Sequence, residues 1–487
     1  MKIKELITDL FLYHSDRPLL FNSYEFLFLG ILVLAVYAVI YRRKLPRTLF
    51  LFGFSLFFYY KTSGLFVLLL VATLTAVYYL TRLMNRHEHA PRKWLLSAII
   101  TLVLGVLAYF KYANFLGENF CNLFRLDFHG FDILLPVGIS FYSFQMLSYA
   151  IDVYRHELDD ERDFLDYAFY VTFFPQLVAG PIVRAKNFLP QLKKPVTVKR
   201  TEVEKGFFLI MMGLFKKSIL ADYLAQYNDL VFGNPGAYGG AETLIAIYSY
   251  AIQIYCDFSG YTDMAIGMGK MMGFDLGINF NKPYQSTSLS DFWRRWHISL
   301  SSWLRDYLYI PLGGNRKGKL RTYINLMITM LLGGLWHGAN WKFIFWGGMH
   351  GLGLVIDKLW RQVTNHRFEG KLVFKVLGWF ITLHFVVVLW IFFRADSFAT
   401  AWLMIQQVFT DFNPAVLPVF YQTRRLLVWL MIAAIAIHAI PSARFPKVEE
   451  AYVRTPFIVK AIAFIVLIQC ILQIQSDSVQ PFIYFQF

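Results

Sequence analysis

Residues 325–346 read NLMITMLLGGLWHGANWKFIFW and place a histidine, His337, inside an apolar run where a membrane helix is expected. Burying an ionisable side chain in a membrane is costly, so such residues are rare and usually serve a function. The stretch therefore predicts a membrane segment that carries a functional histidine. The alternative is a histidine that packs between helices through a hydrogen bond and takes no part in chemistry.

The composition of the whole chain extends the membrane prediction. Of its 487 residues, 57% are hydrophobic and only 16% are charged, and the mean hydropathy is +0.46. Soluble domains carry about 25% charged residues. Many windows stay apolar over the ~17–25 residues that a span needs, and we predict an all-α polytopic membrane protein with about 11–12 transmembrane helices.

Loop charges predict the orientation of the chain. Basic residues concentrate in loops such as 42–44, 182–205 and 316–321, whereas the loop 157–166 is acidic. Because basic loops tend to stay in the cytoplasm, the N-terminus is expected outside, and an even number of spans places the C-terminus outside as well. These loops account for the net charge of +15, and we expect no nucleic-acid partner.

The residue types that bind metals show no suitable spacing. The three cysteines, Cys121, Cys256 and Cys470, are scattered and form no CxxC pair, so neither a disulfide framework nor a zinc site is expected. Asp257 and Asp263 lie close together in sequence without a third or fourth ligand. We interpret them as helix caps or hydrogen-bond anchors and predict no metal site.

Two regions, 132–151 and 260–314, do not read as clean spans. Irregular backbone at membrane depth must be covered by protein or line a water-filled cavity, so we expect re-entrant or in-plane elements there. Within the second region, Ser288 is a candidate N-cap, and residues 288–312 space their aromatic and leucine side chains as one face of a helix. We predict an amphipathic helix in the membrane interface, with His297 on its apolar side. Alternatively, His297 only bonds a backbone carbonyl within such an anchor.

The residues around His337 support a chemical role. Gly333, Gly334 and Gly338 allow a backbone or a ligand to approach closely. Asn340 follows three residues later, close enough on a helix to orient the imidazole or to bind an oxyanion. A desolvated imidazole is neutral and can accept a proton. Two other histidines in apolar segments are interpreted as packed residues: His350 and His384.

Longer motifs resemble a known family. SDFWRRWHISLSSWLRDYLYIPLGGNRKG (290–318) and TMLLGGLWHGANW (329–341) closely resemble the membrane-bound O-acyltransferase (MBOAT) family, in particular its bacterial alginate O-acetyltransferase branch. FFPQLVAGPIVR (173–184) and YCDFSGYTDMAIGMGKMMGF (255–274) match that branch as well. The resemblance covers most of residues 100–395. It implies the fold of that family, with re-entrant and in-plane helices around a central tunnel.

The resemblance also implies a chemistry and a domain plan. Family members transfer an acyl group from a cytoplasmic thioester to a hydroxyl, and by resemblance His337 is the essential histidine and His297 the second one. Asn340 or the His297 ring is expected to steady the oxyanion. We expect a single catalytic domain, 1–487, divided as follows: N-terminal helices 1–110, core 111–395, C-terminal helices 396–475 and aromatic tail 476–487.

The expected donor is acetyl-CoA, which acts as a substrate, and no bound cofactor is expected. Its phosphates are complementary to a basic cytoplasmic edge. The glycines near His337 are expected to leave room for the thioester. The residues expected to bind the donor or line the tunnel are Arg294, Arg295, Trp296, Arg305 and Trp336, with Arg316 and Lys317 at the same edge.

The C-terminal stretch PFIYFQF (481–487) resembles short aromatic motifs of bacterial envelope acylation systems. By that resemblance, Tyr484 receives the acyl group and passes it on outside the cell. The alternative is an aromatic anchor in the membrane interface.

Together these features predict O-acetylation of an exported polysaccharide at the bacterial inner membrane. The expected partners are membrane lipid, the acyl donor, the polysaccharide and an extracytoplasmic acetyltransferase. Within the same class, the alternative is D-alanyl transfer from a carrier protein to teichoic acid. Outside it, the alternatives are a transporter, for which internal repeats are missing, and a non-catalytic component of an export complex.

Overall fold

A computed structural model describes residues 11–15, 17–178, 180–365, 367–368 and 370–474. Within these ranges the chain forms helices and no β-strand, so the all-α prediction is confirmed. Contacts divide the chain into two units: Met1–Ile210 with Thr262–Gly277, and Met211–Tyr261 with Ile278–Phe487. The single catalytic domain stays a prediction.

The first unit holds the N-terminal helices. In chain order they are α1 (Tyr24–Ile40), α2 (Lys44–Ser63), α3 (Phe66–Asn85), α4 (His89–Phe124), α5 (Ile139–Tyr154), α6 (Phe164–Thr172), α7 (Phe174–Leu177), α8 (Ala185–Lys193) and most of α9 (Arg200–Leu214). The long helix α11 (Gly240–Met271) contributes residues to both units.

The second unit holds the remaining helices. They are a π-helix (Phe215–Ala221), α10 (Asp222–Gly233), α12 (Leu289–Arg295), α13 (Ile298–Leu304), a second π-helix (Arg305–Tyr309), α14 (Gly318–His337), α15 (Trp341–Val363), α16 (Leu372–Arg394), α17 (Phe398–Thr410), α18 (Leu417–Thr423), α19 (Arg425–Ala439), α20 (Phe445–Arg454) and α21 (Phe457–Ile474). Short 3₁₀ turns connect some of them.

Four helices among the described residues are long and apolar enough to cross a membrane: α3, α4, α16 and α21. A fifth span results if Pro414–Thr423 and α19, which meet at a bend of 96°, count as one. Other helices, among them α1, α14 and α15, are continuous but do not combine the length and the apolar character of these four. The apolar residues 163–180 instead break at Phe173 between α6 and α7. The membrane class therefore rests on the long apolar helices.

A buried ion cluster stabilises the first π-helix. Lys217 Nζ lies 2.8 Å from Asp222 Oδ1 and 2.5 Å from Asp257 Oδ1, and Lys217 is 1% exposed. Asp257 lies inside α11, so its interpretation as a helix cap is wrong, whereas its role as an anchor is confirmed. The extra residue of a π-turn changes which side chains face the neighbouring helix. Here the π-helix presents Lys217 to both carboxylates.

Candidate functional site

His337 is the last residue of α14, and its ring is enclosed by aromatic side chains. The ring packs edge to face against Trp336, Trp346 and Phe393, with centroids 5.1, 5.0 and 5.4 Å away. Only 3% of the residue is exposed. The structure thus keeps bulk water from this imidazole, as the apolar sequence around it predicted.

The glycines near His337 bring two helices into backbone contact. A Cβ atom on Gly334 would overlap the carbonyl oxygen of Phe343, and one on Gly347 would overlap that of Met330. A Cβ atom on Gly338 would overlap the Phe343 ring. Protein atoms therefore fill the space beside Gly334 and Gly338. The expectation that these two glycines leave room for a thioester is wrong; they allow α14 and α15 to form a tight hairpin.

Asn340 does not lie on the same helix as His337. Helix α14 ends at His337, and Asn340 is the N-cap of α15, where its Oδ1 accepts the backbone N–H of Lys342 at 3.0 Å. The assumed helical spacing between His337 and Asn340 is therefore wrong. The side-chain oxygen is an acceptor and serves the cap, and the amide N–H₂ group is the part of Asn340 that could donate to an oxyanion.

Helix α12 runs lengthwise along α15. Successive α12 residues meet progressively earlier α15 residues: Ser290 Oγ is 2.5 Å from Asp357 Oδ2, the Phe292 ring is 6.1 Å from His350, and the Trp293 ring is 5.8 Å from Trp346. Ser288 caps α12 as predicted, since its Oγ accepts the backbone N–H of Asp291. Helix α12 therefore leads from the C-terminal end of α15 toward its N-terminal end, near His337.

The residues that follow His297 lie along α14. Leu304, at the end of α13, lies against Gly333, and Asn325 Nδ2 donates to the Gly314 carbonyl oxygen at 3.1 Å. Residues 289–314 therefore run first along α15 and then along α14, the two helices of the hairpin. The prediction of a re-entrant element in 260–314 fits this path, but the prediction of one continuous in-plane helix over 288–312 is wrong.

His297 occupies the break between α12 and α13. Its φ of 43° is left-handed, which is uncommon for a residue other than glycine and stops the helix here. The residue is completely buried, and burial lowers the pKa of the imidazole to about 3. The ring is therefore neutral across the physiological pH range.

Asn279 determines the tautomer of His297. Asn279 Oδ1 accepts the backbone N–H of Ser299 at 3.1 Å, which identifies this atom as the oxygen of the amide. The same oxygen lies 3.2 Å from His297 Nδ1, so Nδ1 must carry the proton. In the neutral ring Nε2 is then an acceptor. This tautomer argues against His297 as the donor that steadies an oxyanion.

The rings of His297 and His337 both pack against the indole of Trp336. The Trp336 ring centroid lies 5.9 Å from that of His297 and 5.1 Å from that of His337. Trp336 is 4% exposed, and Trp296 is fully buried, where it stacks on Phe292. The structure thus brings His297, His337 and both predicted tryptophans into one buried cluster of the second unit.

The predicted basic residues do not join this cluster as a set. Arg295 Nε pairs with Asp291 at 3.0 Å, and Arg305 Nε pairs with Asp306 at 2.6 Å. Arg294 is exposed. Arginines neutralised by neighbouring carboxylates hold an added phosphate less strongly than a group of unpaired arginines would.

The basic loop and His337 lie at opposite ends of α14. Arg316 and Lys317 directly precede α14, and its 20 residues rise about 30 Å before His337. A donor held by this loop must therefore reach deep into the protein before its acyl group meets the imidazole.

Tyr484 lies outside the described residues, so its predicted role as acyl acceptor stays a prediction.

Sequence reasoning missed two polar anchors of the site. Asn279 lies 18 positions before His297 in an irregular segment, and no local pattern links the two. Asp357 accepts hydrogen bonds from the backbone and side chain of Ser290 and pairs with Arg361, which in turn donates to Ser288. For Asp357, the sequence offered one signal, because it is the only acidic residue of the largely apolar helix α15.

We expect Asn279→Ala to lower turnover more than substrate affinity. The change leaves the buried ring N–H of His297 without its acceptor, at a cost of about 1–3 kcal/mol, and also removes the acceptor of the partly buried N–H of Ser299. It thereby releases the imidazole from its fixed orientation. Acyl-transfer kinetics should show a fall in kcat of roughly tenfold or more with little change in KM.

Ser299→Ala is the matched control for this variant. It removes only the hydroxyl that donates to the same oxygen at 2.9 Å and keeps the His297 bond. Equal losses in both variants would contradict a specific role of Asn279 in holding the His297 ring.

Comparisons with known proteins agree with these features. The family described as MBOAT, membrane-bound O-acyltransferase family, matches residues 57–398, a region that contains both histidines. The chain is 40% identical to a probable alginate O-acetylase AlgI of Pseudomonas putida over 81% of this chain and 84% of that protein. It is 37% identical to a peptidoglycan O-acetyltransferase of Helicobacter pylori, covering 79% and 78%. It is also 26% identical to a teichoic acid D-alanyltransferase of Streptococcus thermophilus, covering 76% and 94%.

Proposed function

Because the chain belongs to the membrane-bound O-acyltransferase family, we propose that it moves an acetyl group from cytoplasmic acetyl-CoA to O-acetylate an exported cell-envelope polysaccharide. The observation that carries the proposal is the buried pair of His297 and His337, both in contact with Trp336. Relatives named for O-acetylation of alginate and of peptidoglycan support an acetyl group and a glycan. They do not single out one glycan.

The proposed reaction uses His337 as the general base. Its neutral ring takes the proton of the acceptor hydroxyl while the hydroxyl oxygen attacks the thioester carbonyl. The carbon–sulfur bond then breaks, and the proton passes from the imidazolium to the leaving thiolate. The amide N–H₂ group of Asn340 is the proposed oxyanion donor, and His297 Nε2 accepts a hydrogen bond that orients a neighbouring group.

The donor is proposed to enter from the cytoplasmic side. Exposed Arg294, Arg316 and Lys317 offer charge to the phosphates of CoA, whereas the arm that carries the thioester is long and less charged. The distribution of basic loops supports an inner-membrane location with both termini outside. An extracytoplasmic acetyltransferase is the proposed partner that completes transfer to the polymer.

Tyr484 is the proposed first acceptor of the acetyl group. If so, incubating the purified protein with acetyl-CoA in the absence of glycan should add one acetyl group, a mass of about 42 Da, to the C-terminal peptide, and base should remove it as expected of an ester. Tyr484→Phe should abolish this adduct while leaving the protein folded. Mass spectrometry of the peptide that contains residues 481–487 checks both expectations.

A variant that lacks the proposed base but keeps Tyr484 provides the control for this measurement. His337→Gln should also lack the adduct, because the base is missing although Tyr484 is present. An unmodified Tyr484 in an enzyme that still acetylates glycan would contradict the tyrosine step and leave the family assignment intact.

D-alanyl transfer is the second candidate, supported by the similarity to a teichoic acid D-alanyltransferase. Purified protein in liposomes should release free thiol from acetyl-CoA and not from a D-alanyl carrier protein, with His337→Gln as the blank. Thiol release from the carrier alone would overturn the acetyl proposal. Because the chain is an acyltransferase by family, a pure transporter or scaffold is disfavoured.

A further inference from the structure

His350 is a buried histidine that the proposed reaction does not use. It lies in α15 and is 0% exposed, and neither Nδ1 nor Nε2 has a hydrogen-bond partner among the residues that the structure describes. His384 in α16 differs, because its Nδ1 lies 2.7 Å from the carbonyl oxygen of Phe380. A histidine that only packs between helices is expected to pair its nitrogens in this manner. Packing alone therefore leaves both ring nitrogens of His350 unexplained.

The rings that surround His350 do not replace these hydrogen bonds. Phe292 stacks on the imidazole with centroids 6.1 Å apart, and Trp293, Trp346 and Phe385 contact it edge to face at 5.1, 4.7 and 5.9 Å. The face of an aromatic ring is electronegative, so it can receive the imidazole N–H weakly and offers nothing to the acceptor nitrogen. A buried neutral imidazole carries one donor and one acceptor. An acceptor that stays unpaired there is costly, which indicates a polar partner from outside the chain.

Two indole N–H groups lie in the same cluster. The Nε1 atoms of Trp293 and Trp346 are buried and, like the His350 nitrogens, unpaired within the described part of the chain. The two indoles are in contact, with centroids 5.8 Å apart. Trp293 is half-buried and precedes exposed Arg294, so the cluster is not sealed on this side. Aromatic walls with a few unpaired polar atoms are typical of small-molecule sites.

His350 lies between the basic loop and the proposed base. Lys358 Nζ donates to Asn315 Oδ1 at 2.8 Å, so the C-terminal half of α15 lies beside the basic loop that precedes α14. Nearer the start of α15, the Trp346 ring contacts His337. His350 follows Trp346 by one helical turn, about 6 Å, and precedes Lys358 by about 12 Å. A donor whose phosphates are held by the basic loop therefore has to extend past His350 to reach His337.

We propose that His350 and the indole N–H groups of Trp293 and Trp346 bind the amide groups of the pantetheine arm that carries the thioester. Each amide offers one N–H donor and one carbonyl acceptor, so it needs the acceptor nitrogen of His350 as well as the ring N–H donors. The hydrocarbon parts of the arm fit against the surrounding aromatic rings. This step rests on the proposed acyl transfer. The arm is common to acetyl-CoA and to a loaded carrier protein, so both donors considered above present the same groups.

Inhibition kinetics with two fragments of CoA test the site in the full-length protein in liposomes. S-methylpantetheine reports on the arm, and adenosine bisphosphate reports on the phosphates. His350→Phe removes both polar ring atoms but keeps an aromatic ring. It should raise the inhibition constant of S-methylpantetheine and the KM for acetyl-CoA by roughly tenfold, with little change in kcat and in the constant for adenosine bisphosphate. His350→Gln, which keeps a donor and an acceptor, should restore most of the affinity.

Trp293→Phe is the second variant, and it keeps the proposal testable should His350→Phe fail to fold. It removes the indole N–H, keeps a smaller aromatic ring and should raise the inhibition constant of S-methylpantetheine by about threefold. His384→Phe makes the same exchange as His350→Phe in another apolar helix and is the matched control. It should leave every constant at the wild-type value.

Three outcomes would overturn the proposal. They are a wild-type protein that S-methylpantetheine does not inhibit, an unchanged constant in His350→Phe and Trp293→Phe, and an equal rise for both fragments. A loss confined to kcat and melting temperature also contradicts it, because that is expected if a buried water alone pairs His350. A wild-type protein that releases no thiol from acetyl-CoA would contradict the proposed donor instead. In that case the same variants, assayed with the D-alanyl carrier protein, decide whether His350 binds the arm.

Discussion

His337→Ala should abolish acyl transfer, with a fall in rate of roughly 10²–10⁴-fold, the range expected when a general base is removed. The imidazole is enclosed by Trp336, Trp346 and Phe393, so bulk water has little access to the position from which it would take over the role of the base. His337→Gln should lose as much, because it keeps most of the volume but cannot accept a proton at neutral pH. Rates of acetyl transfer by equal amounts of purified protein check both variants.

His384 provides the matched control. It lies in another apolar helix, α16, and its ring nitrogen Nδ1 is 2.7 Å from the carbonyl oxygen of Phe380 in the same helix. His384→Ala should therefore retain nearly the wild-type rate. A similar loss in His384→Ala, or near-normal transfer by His337→Gln, would contradict the assignment of the base.

Lys217→Met should cause the largest loss of stability. Lys217 is 1% exposed and is the shared partner of Asp222 and Asp257, so its removal leaves two buried carboxylates close to each other. Breaking a buried pair from one side typically costs about 3–5 kcal/mol. We expect a lower melting temperature in detergent and a reduced yield of folded protein. Lys217→Met with Asp257→Asn should recover part of this loss.

The surface pair of Lys270 and Glu202 is the control for this variant. Its atoms lie 3.2 Å apart, but the side chains are 31% and 40% exposed, and exposed pairs contribute about 0–1 kcal/mol. Lys270→Met should change the melting temperature little. A melting temperature of Lys217→Met close to that of Lys270→Met would show that the buried cluster is not needed for stability.

Local sequence patterns predicted the parts of the fold that depend on local physics. Apolar windows indicated the helices, and the cost of burying an imidazole singled out His337. The end of α14 was also readable, because Gly338 follows His337 as a helix stop and Asn340 precedes Trp341 as a cap. Only the assumed helical spacing between His337 and Asn340 overlooked these two signals.

Other features depend on tertiary contacts and have no local signature. The break at His297 contains neither glycine nor proline, and its left-handed backbone is held by Asn279, whose carbonyl oxygen accepts the N–H of Ile298 at 2.9 Å. The pairing of Arg295 and Arg305 with nearby aspartates likewise required the folded chain. Sequence reasoning therefore found the two histidines but not the residues that orient them.

The most direct test of the central claim follows labelled acetyl groups in proteoliposomes that contain the purified protein. Acetyl-CoA is supplied on one side, and an acceptor glycan with the proposed extracytoplasmic acetyltransferase on the other. Wild-type protein should release CoA thiol and transfer label to the glycan, whereas His337→Gln, at equal amount and equal melting temperature, should do neither. Transfer at the wild-type rate by His337→Gln would contradict the account.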